Sequence, residues 1–349
     1  MKKLMIFPYN NDVEAALQWV DIVEKYQLVY IGLKKEQDSL HNVEITNCEL
    51  GIDVKKGCEM ADIILLVDDP QCRDYTVYQE IAMAAKGKEV ILDKSLYTKI
   101  GKGYFKGCIT NFNFENEFID YFHKNFLYEI NAPVITIMGM GENCDKLSSI
   151  FSVTSLLKKK GFKVLGICSN ALGILFDLKV IPGCMYNKEL TFTEKIIWWN
   201  HVVYRLTEEE KPDIVVMEIP GGILPINKFE NNFFGELASV MNYAIVPDIC
   251  IVNLYYPVSL TDEQAEKISL FCDYKFNAKV NAYFISKQQY RTDSEQEKII
   301  YLNLSEKEYI ENFPADLENY KTVNILARGE LEEMVDECIT ILSDNIDAI

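Results

Sequence analysis

The sequence predicts an α/β protein of two three-layer domains, each a mostly parallel sheet covered by helices. Three observations carry that expectation. Short β-branched or aromatic runs alternate with segments of helical period, the pattern of a parallel sheet joined by crossover helices. The 349 residues exceed what one core organises, since single cores stop growing near roughly 250–300 residues. Asn131-Ala132-Pro133 then interrupts the alternation, because the residue before a proline is driven out of helical geometry. The boundary is placed there, giving domains over residues 1–130 and 131–349.

In the first domain the expected strands are 4–7, 28–31, 63–67 and 89–92. A helix is expected over 13–25, where Val13, Leu17 and Val20 recur at turn spacing, and another over 75–85. Residues 114–128, rich in Phe and Tyr, read as a closing helix. No G-x-G-x-x-G follows the first strand, which runs into Phe7-Pro8-Tyr9-Asn10, so this Rossmann-like domain lacks the dinucleotide fingerprint. In the second domain strands are expected at 134–138, 163–167, 214–217, 249–254, 280–285, 299–302 and 322–326. Helices are expected at 147–159, stopped by Gly161, and at 194–206 and 233–241. An amphipathic helix over 329–343 gathers Leu331, Met334, Val335, Cys338, Ile339 and Leu342 on one face.

Charge narrows the function. Fifty-three acidic against thirty-five basic residues leave a formal charge of −18, and residues 291–349 alone carry −10 of it. Such a field repels phosphate backbones and anionic lipid, so neither nucleic acid nor a membrane is expected as a partner. No apolar run reaches the roughly 20 residues of a bilayer span. The apolar start is too short for a signal peptide and reads as a strand, so the chain is expected to be cytoplasmic. The ten cysteines form no Cys-x-x-Cys pair and the three histidines are scattered, a pattern of reduced thiols without a structural zinc site.

Ligands of open α/β sheets bind beyond the carboxyl ends of strands. The segment Gly139-Met140-Gly141-Glu142-Asn143-Cys144-Asp145-Lys146 lies at such an end and opens a helix, the context of a phosphate-binding P-loop. Measured against G-x-x-x-x-G-K-[ST], Lys146 matches. Met140 and Asp145 stand at the glycine positions and Leu147 at the hydroxyl, with Ser148 one place late. Asp145 is expected to oppose phosphate by about 4 kcal/mol per charge at about 4 Å and an effective dielectric near 20. Leu147 removes the hydroxyl that normally holds Mg²⁺. The strand ending in Met217-Glu218, followed by Ile219-Pro220-Gly221-Gly222, sets a carboxylate before a flexible glycine pair, suited to a metal or a catalytic water.

Other candidates are weaker. Asp68-Asp69 at a strand end suits a cation or a ribose, and equally a turn. Cys144 precedes a helix whose dipole favours a thiolate, against the alternative of burial. Trp198 and Trp199 point about 100° apart on a helix, so one is expected in the core and one exposed, forming an apolar patch with Tyr255-Tyr256. His201 reads as structural.

The blocks Phe7-Pro8-Tyr9-Asn10, Met138 to Lys146, Gly161-Phe162-Lys163-Val164, and Lys211-Pro212-Asp213 leading to Ile219-Pro220-Gly221-Gly222 resemble a clostridial family of peptide maturation system proteins. That resemblance implies a role beside radical-SAM enzymes and small ribosomally made precursor peptides. More remotely, the second domain looks like P-loop proteins of the dethiobiotin synthetase type. Lys146 would match their phosphate lysine and Glu218 their metal-associated glutamate, while Pro220 departs from their small residue.

The expected function is therefore that of an accessory protein in peptide maturation, binding the precursor peptide or a radical-SAM maturase. A degenerate P-loop-like site in the second domain would take a nucleotide, ATP with Mg²⁺. There Gly139, Gly141, Lys146, Ser148, Gly221 and Gly222 would hold phosphate, and Glu218 would serve as metal ligand or catalytic carboxylate. The alternatives are an inactive scaffold or peptide-binding protein, and an ATP-dependent ligase or kinase-like enzyme.

Overall fold

The computed structural model describes residues 1–19, 23, 25–34, 48–69, 72, 74–111, 125–181, 183–186, 190–256, 260–295, 297–311, 313 and 317–346. The chain divides into two compact units, residues 1–117 with 170–186, and residues 118–169 with 187–349. Beside the single crossing expected near residue 131, the chain thus returns to the first unit over 170–186.

Unit 1 runs β1 (Lys2–Phe7), α1 (Asn11–Leu17), β2 (Tyr26–Gly32), β3 (Glu49–Gly51), α2 (Val54–Met60), β4 (Ile63–Leu66), α3 (Thr76–Ala84), β5 (Glu89–Ile91), α4 (Lys94–Ile100) and β6 (Ile109–Asn111). Its sheet has the order β3-β2-β1-β4-β5-β6 with every pairing parallel. The inner strands are apolar on both faces: all of Ile63, Ile64, Leu65 and Leu66 are buried. Asn10, Asp53 and Asp93 cap α1, α2 and α4 by accepting from Val13, Lys56 and Leu96 N–H groups. The helix expected over 13–25 is shorter: α1 ends at Leu17, and residues 20–22 and 24 lie outside those described. Most of the expected 114–128 helix lies outside them too. In the returning segment Asn170 caps a 3-10 turn, Ala171–Phe176, donates to Asp12 Oδ2 at 3.1 Å, and leads to the short β9 (Lys179–Val180).

Unit 2 runs β7 (Val134–Gly139), α5 (Lys146–Lys159), β8 (Val164–Cys168), α6 (Phe192–Glu210), β10 (Ile214–Glu218), α7 (Glu236–Ala244), β11 (Ile249–Leu254), α8 (Asp262–Phe276) and β12 (Val280–Ile285). It continues with the hairpin β13 (Gln288–Asp293) and β14 (Lys298–Asn303), α9 (Glu306–Glu311), β15 (Lys321–Asn324) and α10 (Arg328–Ile346). Its strands pair in parallel in the order β15-β12-β11-β7-β10-β8. Going from β10 to β11 the chain steps across β7. The strand order therefore reverses at the carboxyl end of β7, where an open α/β sheet leaves a crevice.

α5 is sunk in the unit, buried from Lys146 to Leu157. α10 packs against α5 and β15 through buried Leu331, Met334, Val335, Cys338 and Leu342, as the sequence pattern predicts. Each fully buried Leu or Val side chain contributes roughly 1.5–3 kcal/mol. The pairs Lys159–Glu332 at 3.2 Å and Lys160–Asp336 at 2.6 Å flank the seam. The hairpin partner β13 and the helices α8 and α9 go beyond the expected elements. α8 carries a capping box in Thr261 and Gln264, a signal present in the sequence. The helix expected from residue 233 begins instead at Glu236, because residues 232–235 turn with left-handed backbone before it.

Candidate functional site

The glycine loop between β7 and α5 is shaped by residues the sequence does not visibly connect. Asn143 (φ 51°) and Asp145 (φ 56°) adopt left-handed backbone, which short Asn and Asp tolerate better than other L-residues. Cys144 Sγ donates to Gly141 O at 3.1 Å. Asn253, at the end of β11, donates from Nδ2 to Cys144 O at 2.9 Å and Ser149 Oγ at 2.7 Å, while its carbonyl takes the Met140 N–H. Asp145 accepts from Ser286 Oγ at 2.8 Å and Lys287 N at 3.0 Å, just past β12. Those two donors hold the charge that the sequence sets against a phosphate.

Lys146 opens α5 and is buried. Its Nζ donates to Gly141 O at 3.1 Å and to Gly221 O, so one ammonium ties the loop after β7 to the loop after β10. The two loops also meet as backbone, since a Cβ on Gly222 would stand 2.5 Å from Gly141 Cα; within the first loop, one on Gly139 would run into Cys144 Sγ and stand 2.8 Å from the Lys146 side chain at Cδ. Neither glycine admits a side chain. Glu218 ends β10, buried, and accepts from Ser169 N at 2.7 Å.

The two charges act on each other. Burial works against the Lys146 ammonium, but Cys144, Glu142, Glu218 and Tyr301 outweigh it and hold its pKa above the ordinary lysine value. Burial raises the Glu218 carboxyl above the usual range, and Lys146 and the Ser169 hydroxyl and N–H only partly offset this. Lys146 and Glu218 therefore face a common interior, as the sequence expects, yet each takes neutral partners: carbonyls for the cation, an N–H for the anion.

Three side chains crowd Gly141. A Cβ there would meet Tyr255 Oη at 2.5 Å, Ile226 Cδ1 at 3.0 Å and Asn232 Nδ2 at 3.2 Å. Tyr255 donates to Glu142 O and packs against two rings of the hairpin, Tyr290 at 4.9 Å and Tyr301 at 6.1 Å between centroids. Asn232 is buried, and the chain leaves it through Phe233, Phe234 and Gly235 with φ of 49°, 55° and 74°. Both phenylalanine rings are exposed, at 68% and 64%. Left-handed backbone costs an L-residue roughly 1–2 kcal/mol.

Of the residues singled out in sequence, Gly139, Gly141, Lys146, Gly221 and Gly222 meet at these two loops, with Glu218 at the root of the second. Ser148 lies buried in the first turn of α5, beside the apolar Leu147. The weaker candidates fare differently. Burial pushes the Cys144 thiol up to about 11, against the dipole effect, so it is protonated near neutrality. Trp198, Trp199, Tyr255 and Tyr256 are all buried, so the apolar surface patch expected from them does not form. α6 buries a face broad enough to take both neighbouring tryptophans. His201 is structural, its Nε2 2.9 Å from Phe126 O and its ring against Tyr128. Asp68 and Asp69 are paired with Lys99 and Lys34. Asn232 escaped the sequence reading, Asn253 was given no role in it, and Tyr255 was expected only in the surface patch. Only the Asn253-Leu254-Tyr255 ending of a buried strand hinted at the last two.

No family model matches the sequence, and no curated protein matches it. Among solved structures it is similar to a DUF1611 family protein from Anabaena variabilis, at 10% identity and a TM-score of 0.55, covering 89% of this chain and 91% of that one. An ADP-bound nucleotide-binding protein from Archaeoglobus fulgidus follows at 14% identity and a TM-score of 0.31, over 59% and 88% of the two chains. A pseudomurein peptide ligase type C from Methanothermus fervidus gives 12% identity and 0.23, over 86% and 53%. Of these three, the first supports a shared α/β fold and none bears on activity.

Proposed function

We propose that this protein binds a phosphate-bearing ligand at the loops after β7 and β10. The observation that carries this reading is the Lys146 ammonium, buried at a helix start and held by two loop carbonyls beside a buried carboxylate. A phosphate is a stronger acceptor for that ammonium than either carbonyl. The start of α5 adds N–H groups and about half a positive charge. Gly139, Gly141, Gly221 and Gly222 let backbone approach the ligand. The fit to magnesium is narrower. Among the described residues no three His, Cys, Asp or Glu side chains gather, and Leu147 brings no hydroxyl. Glu218 would be the protein's share of a metal site otherwise completed by water and phosphate oxygens. Bound Mg²⁺ would supply neutralisation of phosphate charge; Lys146 orients the phosphate, and Glu218 holds a proton or orients water.

The wider role we propose is that of an accessory protein in the cytoplasm for maturation of a ribosomally made peptide, acting on the precursor or its radical-SAM maturase. The sequence resemblance supports it. No helix among the described residues is long and apolar enough to cross a membrane. Isothermal titration with ATP, ADP and GTP, with and without Mg²⁺, tests the ligand. Binding lost in Lys146→Ala is expected; equal silence from both proteins would remove the nucleotide. Co-purification of a precursor peptide or a radical-SAM enzyme tests the partner. Phosphate release dependent on added peptide would instead favour a ligase or kinase.

A further inference from the structure

We propose that Asn232 is a plug for the glycine loops, filling in the free protein the space that an anionic ligand takes, and leaving it together with its left-handed turn when that ligand binds. This rests on the reading of Lys146 as an anion site. Three observations point to it.

The first is position. Asn232 Nδ2 donates to Leu224 O at 2.5 Å and Met140 O at 3.4 Å, and so bridges the two glycine loops. Its Cγ stands 2.6 Å from where Gly222 would carry a Cβ, and its Nδ2 3.2 Å from the same point on Gly141. The room those glycines create is thus taken up by this one amide. The second is an unmet acceptor. With both carbonyls on Nδ2, the orientation of the amide is fixed, and Oδ1 is buried without a hydrogen-bond partner. An orphaned acceptor disfavours the closed arrangement. The third is the backbone. Asn232, Phe233 and Phe234 are three successive non-glycine residues with positive φ, of 49°, 49° and 55°. Bulky residues there are outliers, and the exposed rings gain no burial in return. Local bonds hold the turn: Asn231 Oδ1 accepts from Phe233 N at 2.8 Å and Lys275 Nζ donates to Phe234 O.

The closed state therefore carries a strained turn and an unpaired oxygen, and opening relieves both. Lys146, released from Gly141 and Gly221 carbonyls, would then meet the ligand, whose differential binding tips the balance. The ligand class is a compact phosphate or pyrophosphate group, which suits a space now filled by an amide.

Two variants and one probe, pyrophosphate, decide it. Asn232→Ala removes the plug. In the free protein, amides of residues 140–146 and 221–224 should exchange hydrogen about tenfold faster than in wild type, with the rest of the unit unchanged. The double variant Phe233→Gly, Phe234→Gly keeps Asn232 and removes the strain, so it should tighten closure. Those amides should exchange more slowly, and pyrophosphate should bind on the order of fivefold more weakly by titration calorimetry. Unchanged exchange in the double-glycine variant, or pyrophosphate binding as tight as wild type, overturns the plug even if Asn232→Ala does not fold. If wild type binds no pyrophosphate, the anion reading falls, and the exchange comparison alone decides whether Asn232 closes the loops.

Discussion

Both sheets end in charged residues, and the two ends are built differently. At the carboxyl edge of the first sheet Asp68 lies 2.5 Å from Lys99, and Asp69 pairs with Lys34, each charge answered by its opposite. At the carboxyl edge of the second, Lys146 and Glu218 are buried, feel each other, and are held by carbonyls and an N–H. Pairing neutralises the charges of that edge, although Asp68 Oδ1 stays without a hydrogen-bond partner. Opposite charges kept on neutral partners stay available for a third group, and this is why the second edge is the candidate site.

Lys146→Ala should sharpen the contrast most. It should weaken nucleotide or pyrophosphate binding tenfold or more, about 1.5–3 kcal/mol for a hydrogen bond to a charged group, by titration calorimetry. Gly222→Ala comes next. The added methyl meets Gly141 Cα at 2.5 Å and Asn232 Cγ at 2.6 Å, so unfolding in urea should show a loss of about 1–3 kcal/mol. Glu218→Gln acts through pH. The folded-state pKa of Glu218 lies above its ordinary 4.5, so its contribution is fully present below that value and is lost as pH rises through the folded one. The glutamine variant should therefore gain on wild type as urea midpoints are followed upward from about pH 4. A flat difference between the two would contradict the raised pKa. Lys99→Ala should do least: removing this half-exposed partner of Asp68 should change stability by less than about 1 kcal/mol and leave pyrophosphate binding unchanged. A loss of binding there would mean that the first edge also takes part in binding.

What the sequence revealed and what it hid follow from the range of the interactions. Lys146 and Glu218 were legible because each lies within a strand-loop-helix or strand-glycine pattern written in consecutive residues. The parallel order of both sheets was legible as class, from alternation of apolar runs. Asn232 and Tyr255 were not, since their meaning comes from Gly141, about 90 and 114 positions away, across a fold the local pattern does not encode. Asp145 misled for the same reason. Its neighbours in sequence make it an obstacle to phosphate, while Ser286 and Lys287 give its carboxylate a place of its own. Trp198 and Trp199 misled because helical geometry separates adjacent rings without telling how wide a face is buried. The capping box of Thr261 and Gln264 was local, and could have announced α8.

The most direct test of the convergence of Lys146 and Glu218 is a crystal structure of the protein grown with pyrophosphate. The expected result is a bound anion on Lys146 Nζ and the α5 start, with the Gly141 and Gly221 carbonyls released. Lys146 still seated on those two carbonyls, with pyrophosphate elsewhere or nowhere, would contradict it.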